Sequence, residues 1–343
     1  ATMQQMKATL DDSNIEGRMT IDGFEKPKLS FDLAIDRLNL DDYADNQSSA
    51  AASGQGTGSD VSVNEFRRFT GGGDIRIGSL VLSGLTATDV STTISSSGND
   101  IRFYPVLANF YGGTHEGEVR IDASGAKPVL TADLGLSGVQ AQPLLEDLTG
   151  EARLQGQADV FLQIQSDISN SQTTLQSLSG EIGMAVFDGA IVGIDVSKTL
   201  GLVQSALGKQ ADVSGESSAV EKTEFAELSM SGVIRDGIMN SDDLIMQSPL
   251  LRASGKGSFN LVNETIDYTL EPTLVGDTGV SQLDELSGVA IPIRFSGNLY
   301  EPDYKVDVAA AIMASQKDRI DQKKNELFEK LLGGKKKDED GGD

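Results

Sequence analysis

Leu29-Ser30-Phe31-Asp32-Leu33-Ala34-Ile35-Asp36 shows most clearly which class of fold this chain adopts. Every second residue is a large apolar one, and the residues between are polar or small. Successive side chains of a β-strand point to opposite faces of a sheet, so this alternation predicts a strand with one apolar and one polar face. The same period of two returns in Leu130–Leu136, Ile182–Val186 and Ile266–Leu270. Gly, Asn, Asp and Ser separate such segments, which favours short antiparallel connections and a mainly β protein.

The strands also repeat along the chain. Gly17–Asp22 aligns with Gly117–Asp122, and the next apolar strand then follows in both copies, with Leu29–Ile35 falling on Leu130–Leu136. Any meander reuses glycine turns and alternation, so coincidence is the alternative explanation. The matching register favours a duplicated strand–turn–strand unit, and hence an extended sheet.

The other segments divide the chain into five parts. Residues 1–45 form a strand unit that we expect to continue an upstream region, because the chain begins without an initiator Met and enters strand-like sequence at once. Residues 46–60, rich in Ser, Ala and Gly, predict a flexible linker, and residues 61–310 hold most of the β sequence. An amphipathic C-terminal helix is predicted over 311–332, followed by a disordered charged tail over 333–343. Shorter helices are predicted at Val63–Phe69, Pro143–Leu148 and Val196–Leu207.

Composition excludes several classes of function. The chain has 28 Lys and Arg against 52 Asp and Glu, a formal charge of −24, with one His and no Cys. A chain this acidic repels the phosphates of nucleic acid. Without cysteine there is no disulfide framework, thiolate metal site or cysteine nucleophile. No run of about 18 apolar residues predicts a helix that spans a membrane.

A search for a catalytic or metal site finds no candidate. His115 stands alone near a turn, so we expect it to be exposed and without a role. Adjacent acidic pairs such as Asp11-Asp12 and Asp242-Asp243 lack the spacing of a calcium loop, and neighbours in a strand point to opposite faces. The run Gly71–Gly73 precedes a strand and opens no helix, unlike a phosphate-binding loop. We therefore expect no catalytic residue, no metal, no cofactor and no enzymatic activity.

The apolar face of such a sheet needs a cover. Each Leu or Phe left in water forfeits about 1.5–3 kcal/mol of burial. A second sheet, closure into a barrel or an apolar ligand each supplies a cover, and the strand pattern does not choose among the three.

Several glycine-centred segments occur in a fixed order between residues 61 and 308, namely Gly73–Leu80, Pro105–Gly113, Gly117–Asp122, Leu178–Ile182, Asp188–Asp195, Ser248–Gly257 and Gly297–Pro302. In this order and spacing they resemble the C-terminal region of the AsmA family of envelope proteins. The resemblance implies an elongated, curved, mostly antiparallel sheet whose groove shields lipid between the inner and outer membranes, in support of outer-membrane biogenesis. It also implies a periplasmic location, with attachment to the inner membrane through an N-terminal anchor that is absent from this sequence.

The implied partners are phospholipid or another acyl lipid, the membranes of the bacterial envelope, and envelope proteins at the C-terminal helix. The family has no catalytic residues to transfer, and its resemblance implies no nucleic acid partner. The alternative function is a non-enzymatic assembly or regulatory factor for outer-membrane proteins, with a self-filled β core and no lipid cargo.

The side chains predicted to line the groove are the apolar members of the alternating strands. Ordinary core packing is the alternative role for each of them. The predicted lining residues are Leu29, Phe31, Leu33, Ile35, Val119, Ile121, Leu130, Leu134, Leu136, Phe259, Leu261, Ile266, Tyr268 and Leu270.

Overall fold

The computed structural model describes residues 2–23, 27–42, 67, 70–193, 222–249, 251–275, 288–307, 313 and 324. These residues form sixteen strands and two helices within the continuous segments. The first eight strands are β1 (Thr2–Leu10), β2 (Ser13–Asp22), β3 (Lys28–Asn39), β4 (Thr70–Leu82), β5 (Leu85–Ser97), β6 (Asp100–Phe110), β7 (Gly113–Asp122) and β8 (Val129–Gln140). The other eight are β9 (Leu154–Asp167), β10 (Ser179–Val192), β11 (Lys222–Arg235), β12 (Ile238–Gln247), β13 (Leu251–Asn260), β14 (Thr265–Leu274), β15 (Ile293–Asn298) and β16 (Pro302–Val306).

All sixteen strands belong to one sheet, in which their order is their order along the chain. Each pairing is antiparallel except that between β3 and β4, which is parallel. The connection between these two, residues 40–69, has the length that a parallel crossover requires. β1 and β16 form the two edges, so the sheet does not close on itself. The prediction of a mainly β, mostly antiparallel, elongated sheet is confirmed, and a long open sheet of this kind fits a curved groove.

The sequence repeat corresponds to a structural repeat. β2 and β7 begin and end at positions equivalent in the alignment, and so do β3 and β8. In both units a glycine allows two strands to approach closely: a Cβ added to Gly17 would lie 2.1 Å from the carbonyl oxygen of Asp32, and one added to Gly117 would lie 2.5 Å from that of Asp133. Because no side chain fits in that space, glycine is required at the same point of each copy.

Two helices lie at opposite ends of the strands. α1 (Ala141–Thr149) follows β8 and confirms the helix predicted at Pro143–Leu148. α2 (Ser171–Ser177) follows β9 and was not predicted, because six of its seven residues are Ser, Thr or Gln and a single Leu gives no helical periodicity. The side chain of Asn170 caps α2 by accepting a hydrogen bond from the backbone N–H of Thr173 at 2.9 Å. We refer below to the α1 end and the α2 end of the sheet.

The buried apolar residues concentrate towards the α1 end of one face. The first core cluster consists of Val139, Ala141, Ala158, Val186, Phe225, Met246, Leu251, Ala253, Leu274 and Ile291. The second core cluster consists of Ile77, Val90 and Ala108 on β4, β5 and β6. These clusters hold the strands together on that side of the sheet.

Several predicted elements lie outside the described residues. They are the linker at 46–60, the helix at Val196–Leu207, nearly all of the C-terminal helix at 311–332, and the tail at 333–343. Of the helix predicted at Val63–Phe69, the structure describes Arg67 alone, in a turn. No helix in the described part of the chain is long and apolar enough to cross a bilayer.

Candidate functional site

One row of paired residues crosses the whole sheet without a polar side chain. Residues directly opposite each other in neighbouring strands project from the same face. Starting from Met3 on β1 and following the partners strand by strand, every position is apolar or glycine. The apolar row, from β1 to β16, is Met3, Met19, Phe31, Gly73, Ile94, Phe103, Val119, Ala132, Ile164, Gly180, Ile234, Met239, Phe259, Ile266, Gly297 and Pro302.

The apolar row is long and remains partly open to solvent. Fifteen interstrand spacings of about 4.8 Å give it a length of about 70 Å. Of its sixteen members, only Ala132 and Ile234 are buried, and the others are half-buried or exposed. The row is therefore a continuous apolar strip on the surface of the sheet.

The predicted lining residues gather on the face that carries the row. Four of them, Phe31, Val119, Phe259 and Ile266, are members of the row itself. Leu261 lies one residue past the end of β13, in a turn, and is the one residue of the fourteen outside the strands. The remaining nine share this face by strand alternation and pairing, namely Leu29, Leu33, Ile35, Ile121, Leu130, Leu134, Leu136, Tyr268 and Leu270. Their proposed contact with lipid stays a prediction.

The two ends of this face differ in packing. Towards the α1 end, Ile35 packs against the second core cluster, and Leu136 and Leu270 pack against the first. The other eleven predicted residues belong to neither cluster, and of these only Tyr268 is buried. Within the described segments, each strand packs chiefly against its neighbours in the sheet, and α1 and α2 are the helices that pack on it. A filled core and an open apolar surface thus coexist on one face, and in this part of the chain no second sheet covers the row.

Sequence reasoning missed many residues of the row. Ile94, Phe103 and Ile164 stand in segments whose alternation is visible, but alternation does not say which residues of different strands lie side by side. The strand pairing supplies that information. Met3, Met19 and Met239 give a weaker signal, since Met is common in helices as well as in sheets.

Tyr268 places a hydroxyl on the apolar face. Its ring lies over two glycines of β13, because a Cβ added to Gly255 or Gly257 would come within 2.7 Å or 2.8 Å of ring carbons. The ring also stacks obliquely on Phe259, with centroids 5.1 Å apart. Burial raises the pKa of Tyr268. Its oxygen is 3.4 Å from the hydroxyl of Ser241, so the polar atom has a partner while the ring contributes apolar surface.

His115 also lies on the apolar face, and the expectation that it is exposed is wrong. It is half-buried on β7, where it pairs with Ala108 of β6 and Leu136 of β8. Removal of water around the ring lowers its pKa. Among the described residues there is no group of three His, Asp or Glu side chains placed to hold a metal ion. The alternation at the start of β7 directs His115 inward, and the sequence pattern of Gly, Thr, His and Glu did not reveal it.

The opposite face of the sheet carries the charges. Asp32 on β3 accepts hydrogen bonds from Arg18 on β2 at 2.8 Å and from Arg76 on β4 at 2.6 Å. These two guanidinium groups hold the pKa of the Asp32 carboxyl below its usual range. The Asp267 carboxylate on β14 accepts hydrogen bonds from Nε and Nη2 of Arg294 on β15, at 2.9 and 2.8 Å. The sheet therefore has one charged, water-facing surface and one apolar surface.

Comparison with known proteins agrees with this architecture. The model of the AsmA family matches residues 1–244. The chain belongs to the AsmA family. Protein AsmA of Escherichia coli (strain K12) is 21% identical over 349 residues, in an alignment that covers 96% of this chain and 56% of that relative. The chain thus spans little more than half the length of E. coli AsmA. No solved structure matches it significantly.

Proposed function

We propose that the apolar face binds the acyl chains of phospholipid, or of another acyl lipid, and shields them between the inner and outer membranes of a bacterial envelope. The apolar row is the observation that carries the proposal. An unbroken strip about 70 Å long is what a lipid needs in order to move along a protein without its chains meeting water. Strands that served only a closed core would not need an open row of this length.

The physical driving force is burial of apolar surface. An acyl chain laid on the row removes both its own surface and that of the side chains beneath it from water, worth about 25 cal/mol for each Å². Because this interaction has no direction, a chain slides from strand to strand at little cost. The polar headgroup stays in water at the groove opening. Transfer of this kind needs no catalytic residue and no cofactor, and we propose that the protein is not an enzyme.

Membership of the AsmA family supports a role in the cell envelope that is related to outer-membrane biogenesis. We propose that the chain works in the periplasm, attached to the inner membrane through an anchor upstream of this sequence. Its proposed partners are the envelope membranes and envelope proteins near the C-terminal helix predicted at 311–332. These assignments rest on the family and on the suitability of an open apolar sheet for the aqueous space between two membranes.

Lipid extraction and mass spectrometry of the purified protein test the proposal. We expect phospholipid to copurify with the wild-type chain. The double variant Phe31→Asp and Leu134→Asp places two carboxylates on the apolar face and is expected to lose most of that lipid while keeping its circular dichroism spectrum. Thr131→Asp is the matched control, because Thr131 is exposed on β8 and projects from the polar face.

The control should retain the lipid of the wild type. A folded wild-type protein that carries no lipid and takes up none from phosphatidylethanolamine vesicles would contradict the proposal. That outcome would favour the alternative, an assembly or regulatory factor in which the apolar face serves only to form the protein's own core.

A further inference from the structure

We propose that His115 makes lipid binding by this sheet depend on pH. An acyl chain can pack against the neutral imidazole, but it would remove water from the protonated imidazole and so bind it less well. The inference rests on the proposed function. It concerns the sole histidine of the chain, which belongs to no ion pair or metal site in the part that the structure describes.

His115 stands where the two core clusters stop. Its partner Ala108 on β6 belongs to the second core cluster, and its partner Leu136 on β8 packs against the first. β7 itself contributes no residue to either cluster. The two core clusters are therefore separated at β7, and the imidazole of His115 lies between them.

His115 lies on the same face of β7 as Val119, a member of the apolar row. Val119 of the row lies four residues from His115, about 13 Å along β7. Between them on this face lies only Gly117, and Gly113 lies on the far side. The side chain of Leu134 on β8 lies over Gly117, where an added Cβ would come within 3.0 Å of its Cδ2 atom, so apolar surface joins the row to the imidazole. An acyl chain that extends from the row across Leu134 comes to lie against the ring.

No charge on the same face compensates a protonated ring. The residues of β6, β7 and β8 that share the face are apolar or glycine apart from His115. Glu116, the next residue, projects from the opposite face. α1, which packs on β8, carries Glu146 and Asp147, and the Asp147 carboxylate is hydrogen-bonded by the hydroxyl of Tyr111.

The direction of the pH effect follows from linkage. Loss of water around the ring lowers the pKa of His115, and this outweighs the backbone of Gly135 and the carboxylate of Glu116, both of which favour protonation. An acyl chain removes more water and lowers that pKa further. The lipid therefore binds the neutral form better, and its affinity falls as the pH falls. Because the pKa of His115 already lies below 6.5 without lipid, a further decrease of about one unit lowers the affinity about three- to eightfold between pH 8 and pH 5.

Fluorescence titration with phosphatidylcholine that carries a pyrene-labelled acyl chain tests the inference, because the charge of this headgroup does not change over the range. The ratio of the dissociation constants at pH 5 and pH 8 is compared between the wild type and His115→Gln. We expect a ratio of about three to eight for the wild type and about one for the variant. Equal ratios in the two proteins would overturn the role of His115.

A second measurement uses the wild type alone and so does not depend on how well the variant folds. The single histidine gives one set of imidazole proton resonances, whose titration by NMR reports its pKa directly. We expect this pKa to fall when the labelled lipid is bound, and an unchanged pKa would overturn the inference. Absence of binding at pH 8 is a different result, since it contradicts the proposed function itself.

Discussion

Placing a carboxylate at two points of the apolar face separates the filled part of that face from the open part. Val186 on β10 is fully buried in the first core cluster. Leu134 on β8 is half-buried, lies beside the apolar row and belongs to neither cluster. The same substitution to Asp therefore meets a packed interior at one position and a partly hydrated surface at the other.

The two variants should differ in stability by several kcal/mol. Val186→Asp forfeits about 2 kcal/mol of apolar burial and adds about 2 kcal/mol or more for a carboxyl group without a partner, so we expect a loss of at least about 4 kcal/mol. Leu134→Asp forfeits about half the burial of a leucine and leaves the carboxylate in contact with water, so we expect a loss of about 1 kcal/mol. Thr131→Asp, on the polar face, should change the free energy of unfolding by less than about 0.5 kcal/mol.

Urea unfolding followed by circular dichroism measures these differences at pH 7.5. Lipid must be removed first, because a ligand that binds only the folded protein adds its own stabilisation. If Leu134→Asp lowers the urea midpoint as much as Val186→Asp does, the apolar face beside the row is a closed core and not an open surface. A negligible effect of Val186→Asp would refute the packed character of the first core cluster.

Two further predictions concern the polar face and the strand repeat. Asp32→Asn should lower stability at pH 7, because a carboxylate with a lowered pKa stabilises the fold while it is ionised. The difference in stability from the wild type should shrink as the pH falls below about 4. Urea midpoints measured across pH 3–7 check this, and a constant difference would contradict it. Gly117→Ala should lower the melting temperature markedly, because the new Cβ would lie 2.5 Å from the carbonyl oxygen of Asp133. Gly135→Ala is the control and should have a small effect, because the nearest atom to its new Cβ lies at 3.4 Å. Equal melting temperatures of the two variants would show that the strands move apart freely.

The strand pattern made most of the fold predictable. In 29–36 and 130–136 the alternation alone marks both the strands and their apolar faces, and the offset between the two copies gives the correct equivalence of β2–β3 with β7–β8. Alternation works here because the sheet has one apolar and one charged face along nearly its whole length. Short connections then make neighbours in sequence neighbours in the sheet.

The packing of the apolar face was not predictable in the same way. Ile35 and Phe31 are both large and apolar and project from the same face, yet Ile35 packs against the second core cluster and Phe31 belongs to the open row. Position along the strand, relative to α1 and the core clusters, makes that difference, and a period of two carries no information about it. His115 shows the same limit, since its inward direction depends on the register of β7 with β6 and β8.

Photocrosslinking on β8 tests directly whether the apolar face of the sheet binds lipid. A photoreactive benzoylphenylalanine at position 134 projects from the apolar face, and the same residue at position 133 projects from the polar face one step along the strand. After irradiation in cells and purification, intact-mass spectrometry detects any lipid adduct. We expect a phospholipid adduct at position 134 and none at position 133. Folded protein with no adduct at 134, or with equal adducts at both positions, would contradict this expectation.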